Sequence, residues 1–115
     1  MGGSLNMPDV HSHGATIYYE EHGSGRPFLF SHGLGGFINQ ILPLVQGFDA
    51  LRLILYDNRT HGRSPEAGEA GTLNFDGMAD DAAAVLTHAG VRRAAVGGVS
   101  MGAAIALNFG LRHPG

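Results

Sequence analysis

The sequence has no cysteine, no lysine, no tryptophan and no long apolar run among its 115 residues. The lack of cysteine excludes disulfides, thiol catalysis and cysteine-ligated zinc. Seven arginines face ten acidic residues without forming a basic tract, and the net charge of −3 argues against binding of nucleic-acid phosphates. No segment reaches the roughly 18 apolar residues of a membrane-spanning helix, and the N-terminus lacks the charge and apolar core of a secretory signal. We therefore expect a cytoplasmic protein that binds neither membranes nor nucleic acids.

The composition that remains is that of one small globular domain. Hydrophobic residues make up 43% and charged residues 15% of the 12.0 kDa chain, a balance that disfavours disorder. Glycine is in excess, with 19 residues, where the usual share of about 7% would give about eight. Two groups of glycines, at 33–36 and 97–102, mark places where the backbone adopts an unusual conformation or approaches another group closely.

Apolar runs alternate with helical stretches along the chain. Residues 28–31, Leu51–Tyr56 and 94–98 are short and almost continuously apolar, which is typical of strands buried on both faces of a parallel sheet. A β-branched and aromatic run predicts another strand at 15–21. We therefore predict an α/β fold, a parallel-sheet sandwich, with a loose N-terminal segment at 1–13 and the domain at 14–115.

The clearest predicted helix covers residues 75–89. Its apolar residues recur at three- and four-residue spacing, and Asn74 and Gly90 are suited to its two ends. Asp80 and Asp81 are expected on its solvated face. The stripe expected to pack on the sheet consists of Phe75, Met78, Ala82, Val85, Leu86 and Ala89.

A G-x-S-x-G motif, Gly98-Val99-Ser100-Met101-Gly102, joins the last predicted strand to a helix. A serine held at such a sharp turn projects its hydroxyl from the carboxyl edge of the sheet, and the residues two before and two after it must be small. The N–H of Met101, at the positive end of the helix dipole, then points at a developing oxyanion. The motif predicts Ser100 as a nucleophile and Met101 as one oxyanion donor.

A second donor is expected from the glycine-rich loop His32-Gly33-Leu34-Gly35-Gly36, which follows the strand at 28–31. Its glycines allow the backbone to fold under a substrate carbonyl, and the N–H of Leu34 is the candidate donor. His32, Gly33 and Gly35 are predicted to support this loop, as Gly98 and Gly102 support the turn at Ser100.

These two motifs and a third resemble the N-terminal part of an α/β-hydrolase fold enzyme, over the chain from about residue 14. The third, Asp57-Asn58-Arg59-Thr60-His61-Gly62-Arg63-Ser64, resembles the Asp-x-Arg-Gly-x-Gly-x-Ser loop of that family, with Thr60 in place of a glycine. The resemblance implies a serine hydrolase that cleaves carboxylic esters, lactones or related acyl bonds of small molecules without a cofactor or a metal. It argues against haloalkane dehalogenases and epoxide hydrolases, whose nucleophile at this point is aspartate.

The histidines of this chain do not complete a catalytic triad by themselves. The family supplies its catalytic acid and histidine after later strands, so we expect the general base and acid to be absent from the chain and the isolated chain to be inactive. His32 is expected to shape its loop and Asp57 to bind loop backbone, and a base role for His32 or His61 is the weaker alternative. His113 lies about three turns beyond Ser100 on the same predicted helix, too far to reach the hydroxyl.

The predicted helix after Ser100 is apolar nearly all the way round, and such a helix needs cover on every side. We interpret it as a sign that the sequence is part of a longer hydrolase. The alternative is a short, non-catalytic binding or pairing module derived from the same fold. In either case the strand at 94–98 is expected at an open sheet edge, through which the chain can self-associate.

Overall fold

The computed structural model describes residues 9–45 and 50–114, which form three consecutive strands followed by alternating helices and strands. Apolar and β-branched runs form the strands, and the stretches with helical spacing form the helices. The elements are β1 (Asp9–Ser12), β2 (Ala15–His22), β3 (Arg26–Ser31), α1 (Ile38–Val45), β4 (Leu51–Tyr56), α2 (Phe75–His88), β5 (Ala95–Gly98) and α3 (Met101–Arg112).

The described strands form one sheet in the order β1-β2-β4-β3-β5. β3 lies parallel to both β4 and β5, whereas β2 is antiparallel to β4 and β1 is antiparallel to β2. The predicted α/β fold is confirmed, and so is the parallel arrangement of the three continuously apolar strands. β5 lies at the edge of the described sheet, as predicted.

The N-terminal hairpin differs from the sequence-based expectation. The segment at 1–13 was expected to be loose, but Asp9–Ser12 form β1 and pair with β2. The two-residue turn between them has positive φ at both His13 and Gly14, the geometry that matches the twist of a tight hairpin. Val10 is buried in the core, so its apolar side chain stabilises a strand that is otherwise polar.

The two faces of the sheet carry separate hydrophobic clusters, because side chains alternate along each strand. On one face, Leu29, Ile54 and Tyr56 lie in a cluster with side chains of α2 and α3. On the other face, Leu53 and Leu55 lie in a cluster with Ile38 of α1. The result is a central sheet with α1 on one side and α2 and α3 on the other.

Helix α2 begins as predicted, with Asn74 accepting a hydrogen bond of 2.7 Å from the N–H of Gly77. The expectation for Asp81 is wrong: its side chain is fully buried rather than solvated. Phe75, expected in the packed stripe, is 47% exposed. The buried side of α2 is therefore rotated so that it includes a carboxylate.

That carboxylate is buried because Arg59 neutralises it. The Arg59 guanidinium donates to both Asp81 oxygens, at 2.6 and 2.8 Å, and neither side chain is accessible to solvent. Its remaining donors reach the carbonyl oxygens of Ala67, Thr72 and Gly77 and the hydroxyl of Thr72. Arg59 thereby ties the loop between β4 and α2 to the helix that follows it.

Asp80, the neighbouring carboxylate, links three elements at the surface. It accepts hydrogen bonds from Arg112 and His113 at the end of α3 and from His13 in the N-terminal hairpin. Partial burial would raise the pKa of Asp80, but hydrogen bonds from Arg112, His13 and His113 outweigh it and hold that pKa below its usual value. These hydrogen bonds connect the first half of α2 to the C-terminal end of α3 and to the turn between β1 and β2.

Helix α3 and the β5 edge leave apolar surface open. Leu107 and Leu111, one helical turn apart, are 70% and 75% exposed. Beside them, a groove between α2, β5 and α3 includes Val96 and Phe109 in its lining. None of the helices in the described part of the chain has the length and apolarity needed to cross a bilayer.

We expect the 115-residue chain to self-associate through this surface, because an open strand edge beside exposed leucines favours association. Sedimentation velocity should show species larger than the 12.0 kDa monomer. The double variant Leu107→Glu/Leu111→Glu should shift the distribution toward monomer. Leu73→Glu, which changes an exposed leucine outside α3, should behave like the parent chain. A parent chain that sediments only as a monomer would contradict this expectation.

We expect Asp81→Asn to lower the free energy of unfolding by about 3–5 kcal/mol, because it leaves the Arg59 charge buried without a counter-ion. Urea unfolding in the Leu107→Glu/Leu111→Glu background measures the change without interference from self-association. Asp76→Asn on the same helix is the control: its partner Arg112 is 3.5 Å away at the surface, so its effect should be small. Equal effects of the two substitutions would refute a special role of the buried pair.

Candidate active site

Ser100 occupies a strained position between β5 and α3. Its backbone has φ 55° and ψ −115°, in the region that non-glycine residues rarely adopt, and the residue is exposed. β5 ends two residues before it and α3 begins with the next residue, Met101. A strained residue needs rigid surroundings to persist, and here the strand and the helix hold it on both sides.

The glycines on either side of Ser100 allow two segments of backbone to touch. A Cβ atom on Gly98 would overlap the carbonyl group of Gly102, and a Cβ on Gly102 would overlap the carbonyl of Ser31 at the end of β3. The N–H of Val99 also donates to the Ser31 oxygen, at 3.1 Å. Both positions therefore require glycine, for the steric reason that the motif predicts.

The glycine-rich loop after β3 lies against this turn. A Cβ atom on Gly33 would stand 3.2 Å from the carbonyl oxygen of Val99 and 3.5 Å from the Cβ of Ser100. The loop closes in a turn in which the N–H of Gly36 donates to the Gly33 oxygen, at 3.0 Å. Gly35 has φ +77° in this turn, which favours glycine there.

The two N–H groups predicted as oxyanion donors lie in these two segments. Leu34 is in the glycine-rich turn, with its side chain 79% exposed, and Met101 is the first residue of α3. Within residues 9–45 and 50–114, neither N–H donates a hydrogen bond to a protein group.

His32 is fully buried at the start of the same loop. Its Nδ1–H donates to the carbonyl oxygen of Gly33 at 2.7 Å, and its Nε2 accepts from the N–H of Asn58 at 2.9 Å. Burial lowers the pKa of His32, with the adjacent His61 ring acting in the same direction, and this outweighs the hydrogen bond to Gly33, which raises it. Both nitrogens are occupied by backbone groups, as expected for a residue that shapes the loop.

Asp57 binds loop backbone, as predicted. One carboxylate oxygen accepts from the N–H of Ile38 at 2.7 Å, and the other accepts from the N–H of Arg63 at 2.9 Å. Asp57 thus connects the start of α1 to the loop that follows β4. Thr60, which replaces the glycine of the resembled motif, has a φ of 66°, in the region that favours glycine.

His61 has a structural role that the sequence does not predict. Its Nε2 accepts from the N–H of Gly35 at 2.9 Å, and its Nδ1–H donates to the Arg59 carbonyl at 2.8 Å. The ring lies 4.9 Å from that of His32, centroid to centroid. No spacing rule predicts this contact, because it joins loops that are 26 residues apart.

The remaining histidines have partners of their own. His113 Nε2 lies 3.0 Å from an Asp80 oxygen, and His22 Nε2 lies 2.9 Å from Glu20. In the part of the chain that the structure describes, no three His, Asp or Glu side chains are grouped to hold a metal ion.

Residues 26–115 match the family of the alpha/beta hydrolase fold. RutD of Azorhizobium caulinodans, a proposed carbamate hydrolase, is 38% identical over 109 residues, which are 94% of this chain and 40% of RutD. A non-heme haloperoxidase of Rhodococcus erythropolis is 39% identical over 106 residues, 89% of this chain and 37% of that protein.

Solved structures show the same fold. The N-acyl homoserine lactonase AidH, complexed with N-butanoyl homoserine, superposes with a TM-score of 0.83 at 26% identity, covering 95% of this chain and 41% of AidH. The esterase EaEST of Exiguobacterium antarcticum superposes with a TM-score of 0.75 at 30% identity, over 91% and 40% of the two chains. The chain thus spans about two fifths of the length of the relatives that it matches.

We expect Gly102→Ala to lower the free energy of unfolding by about 2 kcal/mol or more, because overpacking against rigid backbone is costly. The control is Gly110→Ala on the same helix, where an added Cβ meets no atom within 4 Å. That substitution should raise stability by about 0.5–1 kcal/mol through helix propensity alone. Urea unfolding of both variants, in the Leu107→Glu/Leu111→Glu background, measures the difference. The steric account fails if Gly102→Ala is as well tolerated as Gly110→Ala.

Proposed function

The chain belongs to the alpha/beta hydrolase fold family, and from that membership we propose that it supplies the nucleophile and the oxyanion-binding groups of a serine hydrolase. The proposed reaction is cleavage of a carboxylic ester, a lactone or a related acyl bond in a small molecule. Such a reaction needs no cofactor. Residues 14–115 are the proposed contribution to the hydrolase domain.

The backbone of Ser100 is the observation that carries this proposal. A serine at φ 55°, exposed at the junction of a strand and a helix, presents its Oγ outward at the carboxyl end of β5. Attack of Oγ on the substrate carbonyl carbon, with the hydroxyl proton passing to a general base, forms a tetrahedral intermediate. The bond to the leaving oxygen then breaks, the base returns the proton to that oxygen, and the alcohol departs, leaving an acyl-enzyme. Water then attacks the acyl-enzyme and releases the acid.

The N–H groups of Leu34 and Met101 are the proposed oxyanion hole. They belong to two segments that meet at Ser100, and the placement of Gly33 beside the Cβ of Ser100 supports this assignment. Donors that are fixed before the reaction stabilise the developing negative charge without rearrangement, which makes them effective. Loss of one such donor costs about 10²–10³ in kcat in a comparable site.

The general base and its carboxylate partner are proposed to come from residues outside the 115 described by this sequence. His32 and His61 have both ring nitrogens in hydrogen bonds with loop backbone, and His113 is bound to Asp80. A serine without a base is a weak nucleophile. We therefore propose that residues 1–115 alone hydrolyse esters slowly or not at all.

The surface next to Ser100 favours an apolar acyl group. Leu34 and Val99 are exposed side chains on the two segments that meet at the serine, at 79% and 44%. Apolar side chains that remain open to water gain free energy when a hydrocarbon chain covers them. The acyl homoserine bound by the relative AidH is one compound that carries such a chain together with an acyl bond.

The test is hydrolysis of p-nitrophenyl acetate by three proteins: the 115-residue chain, the same chain continued with the remaining C-terminal segment of RutD, and the Ser100→Ala form of that fusion. We expect turnover from the fusion only, with at least a 10³-fold loss in Ser100→Ala because the nucleophile is removed.

Ser24→Ala in the fusion is the matched control, since Ser24 is an exposed serine in the turn between β2 and β3. It should retain full activity. Equal turnover by the fusion and its Ser100→Ala form would exclude Ser100 as the nucleophile. Fast turnover by the 115-residue chain that is lost in the Ser100→Ala form of that chain would place the base among its own histidines.

A further inference from the structure

We propose that His61 is a positioning residue, which fixes the Leu34 N–H in the oxyanion hole by accepting a hydrogen bond from the neighbouring Gly35 N–H. The inference rests on the proposed function, because it assigns a means of control to the same site. His61 is neither the proposed nucleophile nor one of the proposed oxyanion donors, and it lies on the loop after β4.

Two imidazole rings, those of His32 and His61, bind the residues on either side of Leu34. His32 binds the carbonyl of Gly33 through Nδ1–H, at 2.7 Å, and His61 binds the N–H of Gly35 through Nε2, at 2.9 Å. The rings lie 4.9 Å apart, so each limits the movement of the other. The Leu34 N–H belongs to the same peptide group as the Gly33 carbonyl, which His32 and the Gly36 N–H hold directly. His61 holds the next peptide group, that of the Gly35 N–H, so rotation about the Leu34 backbone is restricted from both sides.

The orientation of the His61 ring is fixed by a hydrogen bond within its own loop. Its Nδ1–H donates to the Arg59 carbonyl at 2.8 Å, and the Arg59 side chain is anchored in the buried pair with Asp81. This hydrogen bond also selects the tautomer, because a ring that donates from Nδ1 leaves the Nε2 lone pair free to accept. The loop after β4 therefore presents an acceptor of fixed direction to the glycine-rich turn.

This acceptor exists only while His61 is neutral. Once Nε2 takes a proton it becomes a donor, and two donors, Gly35 N–H and Nε2–H, then face each other across 2.9 Å. The turn must move away, and Leu34 moves with it. Three charged or titratable groups surround this loop. The His32 ring lies against the His61 ring, Asp57 accepts from the N–H of Arg63 in the same loop, and the guanidinium of Arg59 is bound to Asp81.

The experiment is magic-angle-spinning NMR of the ¹⁵N-labelled 115-residue chain, which reads a sedimented sample as well as a soluble one. The hydrogen bond should appear as a ¹⁵N–¹⁵N coupling between Gly35 N and His61 Nε2 near pH 8. On lowering the pH until the His61 ring nitrogens themselves show protonation, the coupling should be lost, because Nε2 then carries a proton. The amide signals of Leu34 and Gly35 should shift with the same midpoint as the His61 ring nitrogens.

Two variants separate the acceptor from the ring. His61→Gln offers an amide oxygen that does not titrate in this range, so the Leu34 amide signal should stay at one position at every pH. His61→Phe keeps an aromatic ring against His32 but has no acceptor, so the Leu34 signal should already be shifted at pH 8. His22→Phe, at the end of β2 remote from the glycine loop, is the control and should leave both amide signals unchanged.

The proposal is overturned if the coupling is missing at pH 8, or if the Leu34 signal is the same in His61→Phe as in the parent chain. It is also overturned if that signal titrates in His61→Gln as it does in the parent. None of these readouts depends on turnover, so a failed hydrolysis assay with these signals intact would reject the proposed function and leave the His61 contact standing.

Discussion

The buried pair of Arg59 and Asp81 is the interaction on which the loops around Ser100 depend. Neither charge reaches water, and a charge in that position is tolerated only when it is paired and fully hydrogen-bonded. Arg59 meets this condition because its guanidinium also donates hydrogen bonds to two carbonyl groups of the loop between β4 and α2 and to one in the first turn of α2. The loop is consequently rigid without regular secondary structure, and it can serve as a support for its neighbours.

From this support a series of short contacts leads to the serine. The Arg59 carbonyl orients His61, His61 binds Gly35, and the glycine-rich turn lies on the Ser100 segment through Gly33. Strain at a serine with positive φ is retained because the backbones of β3 and α3 meet at Gly102 without an intervening side chain. The stable loop that holds Arg59 and the strained turn at Ser100 are thus connected by direct contacts.

Much of the fold could be predicted from periodicity and glycine placement. The three parallel strands, the cap at Asn74 and the close approach at Gly98 and Gly102 all follow from local sequence. The burial of Asp81 could not be predicted, because its partner lies 22 residues earlier and only the folded chain brings them together. The same holds for His61: the identity of its hydrogen-bond partner is a property of two loops meeting, and neither loop specifies it alone. The strand at Asp9–Ser12 was missed because a single buried valine gives no pattern.

The contact between Gly102 and Ser31 also sets an order of assembly. The two residues are 71 positions apart, so the turn that holds Ser100 is closed by a long-range contact whose entropic cost must be met before it forms. During synthesis on the ribosome, β1 to β4 emerge long before β5, and β3 then offers one edge without a neighbour. The strained serine can take its final geometry only after that edge is filled, which makes the turn at Ser100 one of the last features of the chain to form.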